Sequence, residues 1–192
     1  MGTIFVDNLE PQSGTSLTLG ASGDTVQVAS GVTNNLGISM ADMWRLNTTF
    51  QNVGNSATLL SSNLEQVDTG SFGGIGTGMS ESSGTFTFPQ TGIYLIIFQV
   101  QGRADGGART SIGGRIKVST NGGTSYQTRT HGYSSGYANV ANASSTLLHM
   151  IDVTSTTNIK VQFFVQSNDT TYFDAETGAS YNSMTFIRLG DT

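Results

Sequence analysis

The 192-residue chain contains no cysteine, two prolines and only eight lysines and arginines. Without cysteine there is neither a disulfide framework nor thiolate metal ligation. The eight cations stand against 13 acidic residues, a formal net charge of −5. Phosphate neutralisation needs clustered cations, so nucleic acid is not an expected partner. Charged residues make up 11% of the chain, well under the roughly 25% of an ordinary soluble domain. No apolar run reaches the ~18 residues of a membrane helix. The opening MGTIFVDNLEPQ has no basic stretch followed by an apolar one, so no signal peptide is expected. Position 6 is Val6, where N-myristoylation needs Ser or Thr. Membrane insertion is therefore not expected. With 25 glycines but no period of three, a collagen-like stem is excluded as well.

What the chain has instead is serine, threonine, asparagine and glycine, interrupted by β-branched and aromatic residues. Neutral hydroxyls and amides suit short strands and turns better than long helices. Low charge with a fair aromatic content argues against disorder. The triplets at Asn47, Asn142 and Asn168 match the N-glycosylation pattern. Without a secretory signal they read as by-products of composition.

Two sections are expected, an arm over residues 1–38 and a domain over 39–192. In the arm, TIFVDNL, SLTLG and DTVQVASG are short strand candidates separated by Gly/Ser/Asp turns. Ile4, Val6, Leu17, Leu19, Val26 and Val28 alternate but are too few to close a core, so the arm is expected to dock on something else. The domain carries about ten strand candidates with turn signals between them and no convincing helical period. RIKVSTNGGTSYQTR is a clear hairpin around Asn-Gly-Gly, and IDVTSTTNIKV reads as a looser one. The expected fold is an all-β antiparallel jelly-roll sandwich.

One stretch, FTFPQTGIYLIIFQV at 86–100, breaks the rule for a half-exposed strand. Side chains alternate between faces, so Tyr94, Ile96, Phe98 and Val100 make one apolar face while Ile93, Leu95 and Ile97 make another. In a two-layer sandwich only one face of each sheet meets the core. The other needs a cover, either long loops of the same chain or another copy of it. Adjacent Phe163 and Phe164 raise the same question, as do Leu147 and Leu148. A symmetric partner is the favoured cover, with strands 93–100 and 159–166, and Ile93, Leu95, Ile97, Phe163 and Phe164 in particular, expected at the interface.

Chemistry is sparse. His149 lies in an apolar strand, where a core or interface role is expected, and His131 precedes Gly132 in an expected loop. Neither has an adjacent carboxylate in sequence to suggest a triad or metal pair. No G-x-S-x-G elbow is present, and FGGIGTG lacks the lysine of a phosphate loop. Asp169, Asp174 and Glu176 offer hard oxygen ligands but no EF-hand spacing, and read as a solvated acidic loop. Tyr133, Tyr137, Asn139 and Asn142 in HGYSSGYANVAN have the chemistry to stack on and hydrogen-bond a sugar, though ordinary surface-loop residues look the same. No cofactor, metal site or enzymatic activity is expected.

The 86–100 stretch resembles the strand signature F-x-x-P-x-x-G-x-Y-x-x-x-F-x-V of the C1q/tumour-necrosis-factor (TNF) jelly rolls, at Phe86, Pro89, Gly92, Tyr94, Phe98 and Val100. MWRLNTTF and YNSMTFIRLGD are similar to the first and last strands of such domains. The resemblance, over residues 41–190, implies a compact homotrimer with the sheet carrying the first and last strands turned toward the three-fold axis. The wording VDNLEPQSGTSLTLGASGDTVQVASG resembles segments of phage virion proteins. Together these imply a homotrimeric virion surface protein, a capsid decoration protein whose arm docks on the major capsid protein or other virion proteins. The alternative is the receptor-binding knob of a short tail fibre, with a host surface glycan or receptor as its partner.

Overall fold

The computed structural model describes residues 9–11, 13–15, 17–25, 37–52, 55–70, 72–104, 109–137 and 142–192. The chain divides into two compact units, Met1–Asn34 and Asn35–Thr192. In the first, Ala21–Asp24 closes a turn. The Asp24 N–H donates to the Ala21 carbonyl at 3.0 Å and the Asp24 carboxylate accepts from the Ala21 N–H at 2.7 Å. Leu17 and Leu19 are exposed and belong to no strand, so the expectation of a strand over SLTLG is not met there. Ile4, Val6, Val26 and Val28 lie outside the described residues.

In the second unit the described residues form thirteen strands and no helix. They are β1 (Met40–Leu46), β2 (Phe50–Asn52), β3 (Thr58–Leu59), β4 (Leu64–Gln66), β5 (Ser80–Ser82), β6 (Thr85–Thr87), β7 (Gly92–Ala104), β8 (Arg109–Ser119), β9 (Gln127–Tyr137), β10 (Asn142–Val153), β11 (Lys160–Ser167), β12 (Thr171–Phe173) and β13 (Ser183–Gly190). A seven-stranded sheet runs β2-β12-β7-β13-β1-β4, with β10 on the other edge of β7. A six-stranded sheet runs β5-β6-β11-β8-β9, with β3 also on β11. Every pairing is antiparallel. This is the jelly-roll sandwich expected from the sequence, with the first and last strands, β1 and β13, side by side in the seven-stranded sheet.

The core lies where the inward faces meet. From β7 it takes Tyr94, Ile96, Phe98 and Val100, all fully buried. Phe86, Phe163 and Phe186 interlock at its centre, Phe163 lying 5.3 Å from Phe86, 5.8 Å from Phe186 and 5.0 Å from Phe98 between ring centroids. Full burial of each such side chain is worth roughly 1.5–3 kcal/mol. The β8–β9 hairpin turns at Gly122 and Gly123, whose φ of +72° and +92° are left-handed conformations that glycine adopts without a steric cost. By contrast, IDVTSTTNIKV is not a hairpin. Val153 ends β10 in one sheet and Lys160 starts β11 in the other, so the segment crosses the sandwich, its turn closed by the Ile159 N–H on the Ser155 carbonyl at 2.9 Å.

Candidate functional site

The alternation along β7 leaves Ile93, Leu95 and Ile97 on the outer side of the seven-stranded sheet, each half-buried. Residues directly opposite in an antiparallel pair share a face. On one edge Leu148 stands opposite Ile97 and Met150 opposite Leu95; on the other, Ile187 stands opposite Leu95. Leu148 is 56% exposed and Met150 61%. Leu189, at the bulge where the β13–β7 register shifts, is exposed too. The result is a continuous apolar strip across β10, β7 and β13. Its charges lie at the margin, Asp152 opposite Ile93 and Arg45 on β1. Arg45 is only 2% exposed, its Nε 2.7 Å from Glu65 Oε1 and its Nη2 2.9 Å from Thr69 Oγ1. A contiguous exposed apolar patch with charge excluded from its centre is the signature of an interaction surface.

Of the expected interface residues, Ile93, Leu95 and Ile97 thus lie together on this face. Phe163 does not: it is completely enclosed in the core and has no surface to offer a partner, because β11 alternates and its inward position meets Phe98. Phe164 faces outward, but from the six-stranded sheet, with Lys117 Nζ 3.9 Å from its ring centroid. It therefore lies on the opposite side of the sandwich from Ile97. Phe163 and Phe164 thus point to opposite faces of β11, as expected, the first into the core and the second outward from the six-stranded sheet. Met150 and Ile187 were not singled out from sequence. Each continues a period-two series, from Leu148 and from Thr185, in which it could have been found.

The histidines are placed apart. His131 lies on β9, not in a loop, and its ring is 6.0 Å from that of Tyr133. The segment HGYSSGY is strand through Tyr137. His149 is half-buried on β10, Nδ1 3.4 Å from Thr130 Oγ1. Burial, and then the positive charge of Arg129, hold it below the ordinary histidine range. Tyr94 is pushed up by burial, against the opposing pull of Arg188 and of the bond its hydroxyl donates to the Gln90 carbonyl at 2.9 Å. In the acidic loop, Asp174 accepts both its bonds from Arg103 Nε at 3.0 Å, and Asp169 Oδ1 accepts from the Thr170 N–H at 2.7 Å. Among the described residues no group of three or more His, Cys, Asp or Glu is placed to hold a metal ion.

No protein-family model matches the sequence, and no curated protein matches it. Solved structures do match in fold. The Eiger TNF of S. frugiperda is similar with a TM-score of 0.56 at 10% identity, over 81% of this chain and 95% of that one. Murine APRIL at pH 5.0 is similar with a TM-score of 0.54 at 14% identity, over 78% of this chain and 98% of that one. The architecture is therefore a TNF-like jelly roll.

Proposed function

We propose that this chain is a non-enzymatic structural protein that self-associates as a homotrimer and decorates a virion surface. The observation that carries the reading is the apolar strip of Ile93, Leu95, Ile97, Leu148 and Met150. Two of these side chains are more than half exposed in one protomer, and a symmetric copy of the same strip is the simplest apolar cover for it. The TNF-like fold supports three copies rather than two, since the strip belongs to the sheet that carries β1 and β13. Asp174 is paired with Arg103, and Glu65 with Arg45.

Three chains joined in this way carry three copies of the unit Met1–Asn34. Weak contacts of each copy with capsid subunits then add through multivalency. The expected contacts are Ile4, Val6, Leu17, Leu19, Val26 and Val28, of which Leu17 and Leu19 are exposed. The virion placement is supported by the wording of residues 6–31, and the major capsid protein or a neighbouring virion protein is the expected partner.

Light scattering of the purified chain at low concentration tests the assembly. A mass three times the 20.2 kDa of the chain, falling to the single-chain mass in the double variant Leu148→Asp, Met150→Asp, is the expected result. A monomeric wild type overturns it. Gold-labelled antibody on purified particles tests the placement. Label over the head supports decoration, whereas label at the tail tip makes the chain the knob of a short tail fibre, with a host glycan or receptor as its partner.

A further inference from the structure

The cations of this acidic chain differ in how they are paired. Arg45, Arg103 and Arg188, all on strands of the seven-stranded sheet, each have a carboxylate: Glu65, Asp174 and Asp191. The six-stranded sheet is different. Strands β8, β9 and β11 hold five cations, Arg109, Arg115, Lys117, Arg129 and Lys160, and not one Asp or Glu. Among the described residues, Arg115, Lys117 and Lys160 meet neutral groups only. Arg115 Nη2 donates to Tyr133 Oη at 3.2 Å and to Gln166 Oε1. Lys117 lies over the Phe164 ring. Lys160 Nζ donates to Thr87 Oγ1 at 3.0 Å and to the Thr156 carbonyl at 2.9 Å. In a protein of net charge −5, these three neighbouring strands thus carry cations with no acid among them. The acid in the strands of this sheet, Glu81 on the edge strand β5, accepts from the Gly84 N–H.

The outward side chains of this face form a built arrangement. The ladders place Gln166, Gly113 and Tyr133 in one row and Phe164, Arg115 and His131 in the next, with Lys117 opposite Gln162 in the third. Gly113 leaves room for the Tyr133 ring: a Cβ there would collide with Tyr133 Cδ1 and with the Gly132 carbonyl. The ring is thereby held across β8, and its hydroxyl donates to Gln166 Oε1 on β11 at 2.7 Å. Gln166 is fixed in turn by donating from Nε2 to the Asn55 carbonyl at 2.7 Å. Tyr133 remains 44% exposed. Beside it opens a cavity of about 210 Å³ lined by Asn55, Ser111, Tyr133, Gln166, Ser167 and Asn168, below the ~300–1,000 Å³ of a site for a drug-sized molecule. Arg115 Nε is enclosed with no hydrogen-bond partner, so what this side chain offers a ligand is its positive charge and its outer nitrogens, with no carboxylate of the protein bound to them.

We infer that this outer face binds a uronic-acid saccharide, one sugar unit resting on Tyr133 at the cavity and its carboxylate drawn to Arg115 and Lys117. An aromatic ring offers a platform for the C–H face of a sugar. Amide and hydroxyl groups suit its hydroxyls, and a guanidinium matches a carboxylate in two parallel bonds. Arg115 and Lys117, two residues apart on one strand, are separated by about 7 Å, a spacing for one or two carboxylates rather than a phosphate track. A phosphate polymer would need many clustered cations, which this face lacks. All the groups belong to one protomer, so the inference does not rest on the trimer.

The full-length chain is passed over immobilised polygalacturonate, with neutral dextran and inorganic polyphosphate as comparison surfaces. Binding to polygalacturonate and none to dextran is expected, with polyphosphate weaker by about tenfold. Tyr133→Ala and Lys117→Gln are each expected to weaken polygalacturonate binding about tenfold, with the thermal midpoint of the protein unchanged. Lys117→Gln keeps the test valid if the tyrosine variant fails to fold. Absence of polygalacturonate binding, equal binding to dextran, equal or tighter binding to polyphosphate, or full affinity in the folded Tyr133→Ala protein each overturns the inference.

Discussion

Phe163 and Phe164 are adjacent on β11 and face opposite sides of the six-stranded sheet. The first ring lies 5.0 Å from Phe98 in the core, and the second lies under Lys117 Nζ at 3.9 Å. Their truncations should therefore differ. Phe163→Ala opens a cavity among Phe86, Phe98 and Phe186 and is expected to cost about 3–5 kcal/mol. Phe164→Ala loses a half-buried ring and a cation–π contact, about 1–2 kcal/mol. Urea unfolding of the two variants measures the difference, and equal costs would contradict this placement.

Strand positions were legible wherever alternation was strong. The run Tyr94, Ile96, Phe98 and Val100 is buried without exception, as its period of two requires, and the Asn-Gly-Gly turn marks the β8–β9 hairpin. What stayed hidden has physical causes. Ser, Gly and Thr at 130–137 lack the apolar alternation that identifies a strand, so His131 and Tyr133 read as loop residues, although the β8 ladder holds them in a sheet. The crossover at 153–160 resembles a hairpin locally, because polar turn residues do not reveal which sheet the next strand joins. Leu147 and Leu148 showed that both faces of β10 carry apolar groups. Only the ladder showed that Leu148, opposite Ile97, extends the β7 strip.

Asp42 is a buried carboxylate whose removal should be costly. It accepts from the Met43 N–H at 2.9 Å, Trp44 Nε1 at 2.9 Å, Gln66 Nε2 at 2.8 Å and the Met79 N–H at 2.7 Å. These bonds tie β1 to the segment between β4 and β5. Asp42→Ala leaves buried donors without an acceptor and is expected to destabilise by at least about 2 kcal/mol. Chemical denaturation checks the magnitude. Hydrogen exchange should also show Met79 losing protection before the β7 amides do.

Acidification should act through His149. Its folded-state pKa is lowered by burial and by Arg129, so the unfolded chain takes up the proton first as pH falls. Stability from this group is complete above the ordinary histidine value near 6.5 and declines as pH drops from there through the lowered folded value. A thermal midpoint compared at pH 7.5 and pH 5.0 should therefore fall more in the wild type than in His149→Gln. An identical fall in both would mean that carboxylates alone set the acid response.

The strip on the seven-stranded sheet makes a prediction that a single protomer would not. If burial of Leu148 and Met150 against a partner contributes to folding, mass action links the thermal midpoint to concentration. For a folded trimer of chains this size, a hundredfold rise should lift the midpoint by about 5 °C. Replacing both Leu148 and Met150 by Ser changes side chains that are more than half exposed in the protomer. The intrinsic cost there is within about 0.5 kcal/mol. The variant should then melt at one temperature whatever its concentration, close to the wild type at its most dilute. A wild type whose midpoint ignores concentration would leave the strip solvent-exposed in the folded protein, and with it the physical argument for self-association through this face would fail.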